Sequence, residues 1–267
     1  MKFLDRLRGF SNRGTGWVDG LYPTVERIAL SDRLVAASSS TRVRPDEGGC
    51  TRPLWVTDQG SEESCTDHAG TGCAYELTGF KGVPGVAWWF GRAFDLGFGE
   101  TPPKYTVLPN VGVSMHGFCR ALEKHGITTE GTWGPGKPNY PHRIPPGLAR
   151  LSAQRLNLEL QPIYAVGRAA VDALLDHLLT ERPAILVVRA DSAYRHPNAN
   201  GVVGPASGSG GLHAVRVRRY RRVSDGSYQF LSPGSWGPFF GIQGEVWLDE
   251  SRVSHAPAAI NLAMKVS

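Results

Sequence analysis

Two kinds of apolar periodicity occupy different parts of this chain, and that segregation constrains its fold more than any other feature. From Cys65 to Phe80, Ala69, Cys73, Ala74 and Leu77 recur at three- and four-residue spacing, which predicts a helix although Gly70 and Gly72 weaken its propensity. Ser114 to Gly126 predicts a second, with Ser114 as N-cap, Met115, Phe118, Cys119 and Leu122 as the apolar stripe, and Gly126 as the stop. Val171 to Leu179 predicts a third, with Asp172 and Asp176 facing water. Then the pattern changes. Ala184–Val188, Leu212–Tyr220, Tyr228–Leu231 and Glu245–Leu248 read as strands. Helices first and strands later define an α+β protein with two segregated parts. Residues 131–147, dense in Gly and Pro, read as loop, residues 41–64 as irregular chain, and residues 1–40 as an extended leader over the body.

With 267 residues the chain can form one large domain or two closely packed lobes. Its 33 glycines and 19 prolines argue against a helical bundle. No run approaches the roughly 18–20 apolar residues of a membrane span. The segment Met1–Arg8 is charged and lacks the apolar core of a secretory signal, so the expected location is cytoplasmic, or within a virion. Four cysteines (Cys50, Cys65, Cys73, Cys119) make a poor disulfide framework, and a reducing interior is the simplest reading, with one bridge left open. A net charge of +5 is compatible with an acidic partner or with simple solubility.

The chemistry-bearing residues lie far apart. Gln59 precedes Cys65 by six residues, Cys65 opens a predicted helix, and His213 starts a predicted strand about 150 residues later. A thiol nucleophile needs a base, a lowered pKa and donors for an oxyanion. The helix N-terminus and an imidazolium would favour the Cys65 thiolate, while the Cys65 N–H and the Gln59 amide are natural oxyanion donors. Glu62 and Glu63 would oppose ionisation if close; both are expected to point to water, with preference for basic substrates as the alternative. His68 lies on the thiol's own helix, where a packing or surface role is the simpler reading. Cys65, His68 and Cys73 lack paired Cys-x-x-Cys spacing, so no metal is expected, and thiol–imidazole chemistry requires no cofactor. Arg216, Arg218, Arg219, Arg221 and Arg222 crowd one predicted strand end. They read as a solvated hairpin, or as a docking patch for an acidic protein or nucleic-acid surface.

Thr41-Arg42-Val43-Arg44-Pro45, Asp58-Gln59-Gly60 and Ser64-Cys65-Thr66 together resemble the opening of the mature papain-like cysteine peptidases, especially the bacterial branch with Thr after the nucleophile. Gly112-Val113-Ser114 and Leu122 to Ile127 are similar to that family's second helix and following turn. Gly210 to Val215 is similar to its histidine strand, and Phe230 to Gly237 with Gly241 to Trp247 resembles its asparagine motif and closing strand. The resemblance implies a papain-like fold over residues 41–267, with a helical left lobe (about 60–150), a β-barrel-like right lobe (about 151–255) and a cleft between them.

It also implies roles: Cys65 as nucleophile, His213 as base, Gln59 as oxyanion donor, and Trp236 as a shield over the histidine. The family places an orienting Asn directly before Ser-Trp-Gly; here that position is Gly234, and no asparagine occurs from 201 to 260. A carbonyl, a water, Ser232 or Ser235 is then the substitute orienter. Two functions follow as expectations. One is a cysteine peptidase acting on peptides or proteins. The other is a papain-fold structural or binding component of a larger assembly such as a phage virion.

Overall fold

Three helices build the part of the molecule that carries Cys65: α1 (Cys65–Thr78), α2 (Gly85–Asp95) and α3 (Met115–His125). The structure is a computed structural model and describes residues 44–82, 85–99, 103, 106–128, 144–146, 158–163, 166–256 and 258–264. The expected leader and nearly all of the 131–147 loop lie outside these residues. Gly70 and Gly72 have a packing reason. A Cβ at Gly70 would lie 2.0 Å from the Phe118 ring, and one at Gly72 would lie 2.8 Å from the Arg216 guanidinium. Helix propensity is given up so that α3 and a buried arginine can approach. The Ser114 hydroxyl accepts from the Gly117 amide at 3.0 Å, and Gly126 closes α3. Helix α2 occupies a stretch to which sequence periodicity assigns no element. Its Val86, Ala87, Trp88, Trp89 and Ala93 are fully buried, so it is apolar on too many sides to show a stripe. The Asp95 carboxylate at its end accepts from the Ser114 amide and hydroxyl, fixing α2 to α3.

The strands are β1 (Glu47–Gly49), β2 (Leu158–Ile163), β3 (Ala184–Ala190), β4 (Val202–Val203), β5 (Gly211–Val217), β6 (Arg219–Arg222), β7 (Tyr228–Pro233), β8 (Glu245–Asp249) and β9 (Ala258–Met264). Helices α4 (Arg168–Leu178), α5 (Ser192–Arg195) and α6 (Glu250–Ser254) are interspersed. One sheet has the order β2-β9-β3-β5 and the other β1-β6-β7-β8-β4; both are open among the described residues. The single strand expected over Leu212–Tyr220 breaks at Arg218, whose N–H donates to Leu231 and whose carbonyl accepts from Cys50. That bend carries the chain from one sheet into the other.

The β3–β5 pair divides two apolar cores. Ile185 and Ala214 pack with α1, α2 and α3, whereas Leu186, Val188, Val215 and Val217 pack with Tyr194, Trp236 and Phe240. Burial on both faces explains the unbroken apolar run Ala184–Val188. No helix among the described residues is long and apolar enough to cross a membrane.

Three expectations are corrected. Asp172 and Asp176 hold Arg44, each at 3.0 Å, instead of facing only water. Arg216 and Arg218 are buried on Glu76 at 3.3 and 3.0 Å and cannot dock a partner. Of the remaining run, Arg221 lies 4.0 Å over the Trp247 ring and binds Gln229, so no five-arginine patch faces solvent. None of Cys50, Cys65, Cys73 and Cys119 forms a disulfide.

Candidate active site

Cys65 is the first residue of α1, at the positive end of the helix. Strand β5 is an edge strand, so one of its amides is left pointing out of the sheet. That amide, Ala214 N–H, donates to the Cys65 Sγ at 3.3 Å, which places the thiol one residue from His213. Cys65 is fully buried. Burial pushes its thiol up to about 12; the Ala214 hydrogen bond opposes this, and Asp67 and Glu63 add to it. In this closed arrangement the thiol is neutral. Glu62 and Glu63 are half-buried and do not stand in open water. Their loop is clamped by Asn110, which accepts from the Glu63 amide at 3.0 Å and donates to the Ser61 carbonyl at 3.2 Å.

Gln59 is brought to the same region by pairing between two distant segments. Its N–H donates to the Ser235 carbonyl at 2.7 Å, and Asp58 forms an antiparallel bridge with Trp236. The Ser235 hydroxyl donates to Gln59 Oε1 at 2.5 Å, while Gln59 Nε2 donates to the Glu62 carbonyl at 2.6 Å. Ser235 therefore orients Gln59. The Gln59 amide faces the loop just before Cys65.

His213 stands opposite Val188 in the β3–β5 register, on the face turned toward the β-rich core. Its ring lies 4.9 Å from Trp236, tilted by 35°, and 5.4 Å from Tyr194 in an edge arrangement. Phe240 packs behind, 4.9 Å from Trp236 and 5.4 Å from Tyr194. At Gly234 a Cβ would meet the Phe240 ring at 2.7 Å, so the space where a side chain would begin is filled by a buried aromatic. Sequence reasoning missed Tyr194 and Phe240. The local signal for the former was Asp191, a helix-capping residue type, which accepts from the Tyr194 amide at 2.9 Å.

His68 is buried, and burial pushes its imidazole down to about 4, so it is neutral. It borders a water-sized void of about 10 Å³ with Thr57, Ala214, Gly234 and Ser235.

No protein-family model matches the chain, and no curated protein matches it. Solved structures do. Xylellain, a cysteine protease from Xylella fastidiosa, aligns with a TM-score of 0.68 over 96% of this chain and 97% of that one, at 18% identity. The bromelain protease from Ananas comosus, in complex with the inhibitor E64, aligns with a TM-score of 0.62 over 83% of this chain and 100% of that one, at 12% identity. Digestive procathepsin L 3 of the Tenebrio molitor larval midgut aligns with a TM-score of 0.58 over 98% and 79%, at 14% identity. The fold of this chain is papain-like: α+β, with a helical part and a sheet part meeting where Cys65 and His213 lie.

Proposed function

We propose that this chain is a cysteine peptidase acting through Cys65 and His213. The observation that carries the reading is the contact of the Cys65 Sγ, at a helix N-terminus, with the amide directly after His213. The Sγ proton passes to the imidazole, and the thiolate attacks a peptide carbonyl carbon. The resulting oxyanion is held by the Cys65 N–H and, once it leaves the Glu62 carbonyl, by the Gln59 Nε2. The imidazolium gives its proton to the departing amine, and water, deprotonated by His213, hydrolyses the thioester. Trp236 covers one side of the imidazole and limits its hydration. The buried, neutral thiol means that turnover requires solvent and substrate to reach Sγ.

A mixed peptide library tests this. Wild type cleaves members of it, and Cys65→Ala loses about a thousandfold or more of that rate. Absence of cleavage in wild type, or cleavage that survives Cys65→Ala, would overturn the reading and leave a papain-fold binding component.

A further inference from the structure

Gly234 provides no side chain to hold His213, and Phe240 occupies the position where one would start. Catalysis by a Cys–His pair still needs an imidazole held in one orientation. Tyr194 is placed to take part in holding it. Its ring meets those of His213 and Trp236 in edge arrangements, with centroids 5.4 and 5.2 Å apart, and the residue is fully buried. Its hydroxyl is buried without a hydrogen-bond partner among the described residues. A phenylalanine would fill the same space without that cost, so the hydroxyl calls for a reason beyond packing.

The residue is also rigidly anchored. Asp191 accepts from the Tyr194 amide at 2.9 Å, and Arg252 holds the Asp191 carboxylate at 2.9 Å. The Ser207 amide donates to the other carboxylate oxygen at 2.7 Å. Burial raises the Tyr194 phenol above its ordinary range and the nearby Cys65 raises it further, so it stays protonated at any working pH. The ionisable groups facing it are Cys65 from α1, His213 from β5, Arg195 on its own helix and Arg252 from α6.

We propose that Tyr194 is the positioning residue for His213, its ring clamping the imidazole and its hydroxyl hydrogen-bonding the ionised Cys65–His213 pair. This rests on the peptidase reading. When the proton moves from Sγ to the imidazole, two opposite charges appear in a dry aromatic box, and the hydroxyl becomes satisfied as they form. The closed, neutral state leaves it unsatisfied, so its bond belongs to the reactive state.

The test is the rate of Cys65 alkylation by iodoacetamide from pH 4 to 9 in wild type and Tyr194→Phe, with thermal unfolding measured on both. The expected result is an acid-pH labelling limb in wild type. Tyr194→Phe should keep or raise the Tm, lose about tenfold of the rate near pH 5.5, and shift its labelling midpoint upward. A Tyr194→Phe profile that superimposes on an acid-active wild type would overturn the proposal and leave the peptidase reading standing. A wild type with no acid limb would overturn both.

Discussion

A cysteine that opens a helix is expected to ionise easily, yet burial outweighs the helix end at Cys65 and holds the thiol neutral. The same balance acts on His68, with a consequence for stability. Its folded-state pKa of about 4 lies below the unfolded value of about 6.5, so between these the unfolded chain binds a proton that the folded chain does not. Stability is therefore complete above pH 6.5 and falls as pH drops toward 4, by about 3 kcal/mol. Urea denaturation over this range should show that slope in wild type and a flatter one in His68→Gln; equal slopes would mean that His68 is hydrated. Gln59, Cys65 and His213 stood out in the sequence through their spacing, and Trp236 through the papain-like resemblance; the structure brings the four into one region. Tyr194 and Phe240 did not, because a four-residue helix and a turn are too short to show periodicity, and the packing of Tyr194 on His213 and of Phe240 on Tyr194 joins segments distant in sequence.

At the scale of elements, the arginine run shows how composition misleads when burial is hidden. Strand β5 alternates faces, so Arg216 points toward α1 and meets Glu76, while Arg218 reaches the same carboxylate from the bend between sheets. Glu76 has a completely buried side chain, and Arg218 also donates to the Arg52 carbonyl. Replacing Glu76 with Ala would leave the buried Arg216 guanidinium without its anion and Arg218 with only Glu245 at 3.6 Å, and should cost about 3–5 kcal/mol in urea denaturation. Arg222→Ala, at an exposed strand end, should stay within about 0.5 kcal/mol. Similar losses for both would contradict the buried network. Helix α2 was illegible for a related reason: with burial nearly all round, it shows no polar face against which a period could register.

For the molecule as a whole, the order of helix and strand signals carried the fold class, and the spaced motifs carried its papain-like form. Sheet order was beyond reach, because β1 pairs with β6 and β3 with β9 across more than a hundred and about seventy residues respectively. The site arises where those long-range pairings end: α1 brings Cys65, the edge of β5 brings His213, and the Asp58–Trp236 bridge brings Gln59. The most direct test of a working Cys–His pair is the alkylation rate of Cys65 from pH 4 to 9 in wild type and in His213→Ala. Rapid labelling at acidic pH that disappears in His213→Ala is the predicted result. A rate that rises only near the free-thiol pKa of about 8.5, unchanged by the substitution, would contradict it.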